Sequence, residues 1–164
     1  MKYIIANFLL ALLPPTRWFE VKRILLHLLG VRVGKSTRIC GDVKFFGSGK
    51  VTIGRDCWIG IGTRFYTADH GDVFIGNQCD IAPEVSFHCG SHYLATRERR
   101  AGRGRSRSIV VGRGSWIGVR STILRGSRIG RGSVLGAGTL VLEGRKGADS
   151  LVLGTPARII RRLP

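Results

Sequence analysis

The sequence predicts an all-β solenoid, and three observations predict it. Apolar residues recur every six positions at Val111, Ile117, Ile123, Ile129, Leu135 and Val141. A small hydroxyl stands two positions before each of the last five, at Ser115, Ser121, Ser127, Ser133 and Thr139. Glycine follows Val111, Ile117, Ile129 and Leu135, where a corner needs backbone freedom. Residues two apart share one face of an extended strand, so each Ser-x-Ile triplet points both its ends inward. An α-helix would need a beat near 3.6 residues, and none is present. A fixed period of this kind is the mark of stacked repeats.

The same register continues upstream through Val33, Ile39 and Phe45, then Ile53, Ile59 and Phe65, then Ile75, Ile81 and Phe87. Three beats make a block of eighteen residues, one coil of a triangular prism. The breaks grow from two residues to four to eighteen, the last spanning 93–110, and each follows a third beat. All inserted residues therefore leave from one prism corner. About five coils at ~4.8 Å each make a prism ~24 Å tall. The beat does not reveal the handedness of the winding.

Residues 1–32 differ in character and are expected to form a helical segment ahead of a β-helix domain spanning 33–164. Tyr3 to Leu13 is a short, mostly apolar run ended by Pro14-Pro15. It is too short to span a bilayer, which takes roughly twenty apolar residues. It also lacks a convincing small-residue cleavage site, so retention is expected over removal. A second helix is expected from Thr16, as N-cap, through Leu29, with Gly30 as its stop. Capping the open end of the solenoid and lying on an anionic membrane surface are compatible roles for this pair.

At 164 residues the chain is one domain with room for a substantial core. Lys and Arg outnumber Asp and Glu by 27 to 10, a net charge of +17, which predicts anionic partners. Nucleic acid is not expected among them, since no nucleic-acid motif is present and aromatics are few. Of the four cysteines, Cys57 and Cys79 occupy the small inward position taken elsewhere by serine. With no C-x-x-C pair, a cysteine zinc site is not expected, and reduced packing thiols fit a cytoplasmic location; the favoured reading needs no metal.

Three histidines, His70, His88 and His92, cluster where the insertions depart. His70 and His92 each follow a third beat by five residues, so they are expected at equivalent corners of adjacent coils, with Lys50 below and Arg128 above. Neighbouring positive charge disfavours an imidazolium, and a neutral imidazole accepts a proton. Either histidine is thus a candidate general base. Trp58, Asp80 and Trp116 face outward on successive coils, and an outward Trp on such a wall invites a subunit or a flat ligand. The insertion carries six arginines between Arg97 and Arg107, either a solvated loop or a contact for phosphate or another acidic ligand.

Taken together, Ile81-Ala82-Pro83 leading to His92, Trp116-Ile117-Gly118, Gly136-Ala137-Gly138 and the tail Gly154 to Arg158 resemble the hexapeptide-repeat acyltransferases. The resemblance runs from about Val33 to Arg162 and is nearest the sugar O-acetyltransferase branch, which includes maltose, galactoside and exopolysaccharide acetyltransferases. The leader 12–34 is similar to that of polysaccharide-associated members. The resemblance implies a left-handed parallel β-helix, a homotrimer with sites between subunits, and acetyl-CoA as co-substrate. It implies His92 as catalytic base, and Asp69 or His70 near a sugar or oligosaccharide acceptor. It places Trp116, Gly118, Val119 and Ala137 along acetyl-CoA, with Arg158 and Arg161 near its phosphates. The family's acceptor-binding Asn is replaced around Gly62-Thr63, and its Thr-Lys pair by Leu142-Glu143. The expected activity is O-acetylation of a surface-polysaccharide sugar, in the cytoplasm at the inner face of the membrane. Two other readings compete: a carbonic anhydrase-like zinc site of His70, His88 and His92, and a non-enzymatic scaffold for anions or membrane.

Overall fold

The computed structural model describes residues 2–164. Its strands wind into three parallel faces. The first holds β1 (Arg32–Val33), β4 (Val51–Ile53), β7 (Val73–Ile75), β12 (Ile109–Val111), β15 (Ser127–Ile129) and β18 (Gly144–Lys146). The second holds β2 (Arg38–Ile39), β5 (Trp58–Ile59), β8 (Asp80–Ile81), β13 (Trp116–Ile117), β16 (Val134–Leu135) and β19 (Ser150–Leu153). The third holds β3 (Lys44–Phe46), β6 (Arg64–Tyr66), β9 (Ser86–His88), β14 (Thr122–Leu124) and β17 (Leu140–Val141). A last strand, β20 (Arg158–Arg162), turns back antiparallel on β19.

The expected count of about five coils is low by two faces. Five coils are complete, and β18 and β19 supply two sides of a sixth. The sixth was hidden because Lys146, not an apolar residue, lies in register with Ile129. It also stands five residues after Val141 rather than six, so the beat slips.

Two inward columns explain the repeat. Phe45, Phe65 and Phe87 are fully buried and stack with ring centroids 5.1 and 5.0 Å apart. Beside them runs a column of small polar groups that satisfies the corner backbone, as buried carbonyls require. Thr37 donates to the Gly54 carbonyl at 2.7 Å, Cys57 to Gly76 at 3.1 Å and Cys79 to Gly112 at 3.2 Å. Ser115 donates to Gly130 at 3.0 Å and Ser133 to Gly147 at 2.8 Å. Each hydroxyl or thiol thus ties its own coil to the next. All four cysteines are buried and unpaired.

The insertions do leave from one corner, between the third and first faces. Gly47 opens the first with φ +93°, and a Cβ there would lie 1.9 Å from the Thr67 carbonyl oxygen, so only glycine fits. The second closes in a tight turn at Ala68–Gly71. The third is an antiparallel hairpin of β10 (Gly90–Leu94) and β11 (Ala101–Ser106).

Helices α1 (Lys2–Ala11) and α2 (Phe19–Leu28) close the open end. Tyr3 stacks on Phe45 at 5.8 Å, extending the phenylalanine column, and its hydroxyl donates to the Gly49 carbonyl at 2.6 Å. The α2 start differs from expectation: it begins at Phe19, and its N-cap is Trp18 in a left-handed conformation without a side-chain cap. What fixes the entry instead is Lys22, fully buried, whose ammonium donates to the carbonyls of Pro14, Pro15 and Ile39 at 2.7, 2.9 and 3.2 Å. Burial holds its pKa below the ordinary lysine value. The stop at Gly30 is as expected, since the N–H groups of Gly30 and Val31 bond back to His27 and Leu26.

Candidate active site

The hairpin and the Ala68–Gly71 turn enclose a groove of about 660 Å³, bringing Asp69, His70 and His92 together. The two segments are tied by Ser106, whose hydroxyl donates to the Asp69 carbonyl. The hairpin base is held by Glu143, paired with Arg107 and, at 2.8 Å, with Arg125. Glu143 at the family's Thr-Lys position is thus an anchor for the hairpin. Thr63 is likewise structural, fully buried with its hydroxyl donating to the Gly60 carbonyl at 2.9 Å.

His92 lies in β10 opposite Gly104 of β11. Its Nδ1 is 2.9 Å from the Gly102 carbonyl. A carbonyl only accepts, so Nδ1 carries a proton, and in the neutral tautomer the lone pair is on Nε2. Nothing lies within 4 Å of the position a Gly104 side chain would take, which leaves that side of the ribbon open. An imidazole oriented in this way, with its second nitrogen available to accept, is the arrangement a general base needs.

The expected vertical column of Lys50, His70, His92 and Arg128 is formed only in part: His70 and Arg128 line one depression beside Arg107, whereas His92 stands on the hairpin. After Thr67 and Cys89 the two coils diverge, one into the turn that holds His70, the other into the hairpin. Arg128 lies on β15 in register with Val110, and Lys50 donates its backbone N–H to Asp72. His88 is not in the groove either. It stacks on Tyr66 at 4.6 Å, which stacks on Phe46 at 4.9 Å, along the third face. Burial holds its imidazole below the ordinary value. Within one chain the three histidines therefore do not come together, and among the described residues no group of three or more His, Cys, Asp or Glu is placed to hold a metal ion. Cys89, the thiol nearest in sequence to His92, is buried, and burial pushes it up to about 12, far from a reactive thiolate.

A second group of expected residues lies on another part of the prism. The outward register of the second face reads Arg38, Trp58, Asp80, Trp116, Val134 and Leu151, ending beside Arg161 of β20. Trp58 is half-buried against Phe19, ring centroids 6.0 Å apart, whereas Trp116 is 56% exposed. At the corner above, Gly118 packs so tightly on the next coil that a Cβ would lie 2.6 Å from Ala137 N. Val119 accepts the Gly138 N–H there. From β13 to β20 is three strand steps, ~14 Å. Trp116, Gly118, Val119 and Ala137 thus neighbour one another, with Arg158 and Arg161 exposed at the far end. Within one chain this strip and His92 belong to different sides of the prism.

Arg103 and Arg105 line the groove, and Arg105 lies over the Tyr93 ring at 4.7 Å. Ser91, in register with Arg105, was missed, because its selection depends on a hairpin register that no local pattern encodes.

A prism of six-residue beats, closed by helices at one end and interrupted by one long hairpin, is the fold of the hexapeptide repeat. Residues 108–143 match the family model for the bacterial transferase hexapeptide (six repeats). A Dictyostelium discoideum protein named as an acetyltransferase is 36% identical over 113 residues, 65% of this chain and 58% of that protein. The hexapeptide-repeat acetyltransferase VCA0836 of Vibrio cholerae superposes with a TM-score of 0.77 at 23% identity, over 99% of this chain and 89% of that one. It has also been crystallised with acetyl-CoA. The polysialic acid-specific acetyltransferase NeuO gives 0.68 at 30% identity, over 80% of this chain and 61% of its own. The fold is accordingly the left-handed parallel β-helix. The chain spans little more than half the length of the Dictyostelium relative.

Proposed function

We propose that this chain is an acetyl-CoA-dependent O-acetyltransferase acting on a hydroxyl of a sugar in surface polysaccharide, with His92 as general base. The observation that carries the proposal is the 2.9 Å contact of His92 Nδ1 with the Gly102 carbonyl, in a residue that lines the groove, which leaves Nε2 as the acceptor of the neutral imidazole. The acceptor hydroxyl gives its proton to Nε2 while its oxygen attacks the thioester carbonyl. Collapse of the tetrahedral adduct expels the thiolate, and the imidazolium returns the proton to sulfur. Asp69 and His70 line the same groove and are suited to hold the sugar. Arg103 and Arg105 suit an acceptor that carries carboxylate or phosphate.

An elongated anionic acyl donor fits the second-face strip: an exposed indole, a corner closed to side chains at Gly118, and guanidinium groups at the far end. Because that strip and His92 are on different sides of one chain, the working site pairs His92 of one subunit with the strip of another, as in a homotrimer. The acetyl-CoA complex of VCA0836 and the acceptor named for NeuO agree with this reading.

The test is thiol release from acetyl-CoA across oligosaccharides, nucleotide sugars and serine. His92→Ala should lower turnover by about 10²–10⁴-fold with the melting temperature unchanged. Turnover near wild type in that variant would reassign the base. Thermal stabilisation by CoA should persist in it, since the donor strip is untouched.

A further inference from the structure

The two N-terminal helices are apolar on both sides. Their inner faces, Tyr3, Ala6, Leu10 and Leu26, close the solenoid. Their outer faces carry Ile4, Phe8 and Leu12 on and after α1, exposed at 74, 64 and 67%, and Val21, Ile24 and Leu28 along α2. Trp18 is exposed at the junction between them. A helix that only capped a solenoid would turn polar residues to water. Scattered apolar side chains need no explanation, but two adjacent helices with continuous outer stripes do.

We infer that this outer face docks on the surface of an anionic lipid bilayer, with the solenoid standing on its helical end. The charge pattern selects this occupant. Residues 2–38 hold seven Lys and Arg, all but the buried Lys22 reaching the surface, against one acidic residue, Glu20. Glu20 is taken up by Arg23, whose Nε lies 2.9 Å from both carboxylate oxygens. Two copies of this face would bring like charges together, whereas an anionic bilayer complements them. Lys2 lies beside Gly30 at the end of α2, at the margin of the apolar face. Among the described residues no helix is long and apolar enough to cross a membrane, so contact is with its surface. The inference is independent of the acyl-transfer reading.

The experiment is co-sedimentation of the full chain with phosphatidylcholine vesicles, with and without phosphatidylglycerol, at low and high salt. Binding should require phosphatidylglycerol and weaken with salt. Ile4→Ser/Phe8→Ser and Val21→Ser/Leu28→Ser should each reduce the bound fraction by about tenfold or more, with unchanged circular dichroism. Protein remaining in the supernatant with every vesicle overturns the proposal. So does unchanged binding in both double variants. A fall in oligomer size on light scattering without loss of vesicle binding also overturns it, assigning the face to another copy of the chain.

Discussion

From Val111 to Val141 every sixth residue is buried, whereas all five residues of β10 are exposed. The wall is built from groups whose identity the interior dictates: a ring that stacks, an aliphatic that fills, a hydroxyl that reaches the next corner. The hairpin answers to none of these. Its strands are rich in glycine, arginine and serine, with His92, Tyr93 and an exposed Leu94, and are held by backbone pairing and by Glu143 at the base. On the proposed reading the base stands apart from the residues that hold the fold, whereas the donor strip lies on the wall itself.

The sharpest way to break that division is to remove the hairpin. Gly90 and Ser106 are directly paired, so a two-residue Asn-Gly turn should join them. Acetyl transfer should become undetectable while the melting temperature shifts by only a few degrees. Cooperative loss of the whole fold would show that the hairpin belongs to the scaffold. The converse is Phe65→Ala, in the middle of the ring column, which should cost about 3–5 kcal/mol in denaturant unfolding. Any activity left in the folded fraction should match wild type per molecule.

A smaller effect is expected at the polar column. Ser115→Ala leaves the Gly130 carbonyl without its donor and should cost about 1–2 kcal/mol. Ser115→Cys should recover part of that, since Cys79 makes the equivalent bond one coil below.

The smallest concerns pH. The His88 pKa is lowered in the folded chain by burial, so the unfolded chain binds the proton more readily between the folded value and the ordinary one. Its contribution to stability is full above about pH 6.5 and falls as pH drops through that window. His88→Phe should flatten that part of the stability profile, and an unchanged profile would exclude His88 as its source.

The wall was legible because each inward position admits few side chains and repeats them. The corner from which insertions leave was legible for the same reason, since every break interrupts the same column. The sixth coil was not, because Lys146 replaces an aliphatic and the spacing slips by one. The hairpin strands were not, because Arg-Gly-Arg-Ser carries no apolar alternation and its pairing partner is set by distant contacts. The same lack misplaced His92, which counts as a corner residue along the chain but stands on a ribbon in space. Thr16 had the right chemistry for a helix cap, yet Lys22 binding three carbonyls moved the start to Phe19.

The chain's last turn has a further consequence. A stack of parallel coils is an unfinished polymer, since its final rung offers unpaired amides to any matching molecule. Here the Gly154–Ala157 segment takes up both backbone groups of Leu140, and β20 runs the wrong way along β19 with arginines outward. Together with Tyr3 plugging the opposite end, this gives the filament two terminators. On the second and third faces, stacking of another coil is thus opposed by direction and by charge.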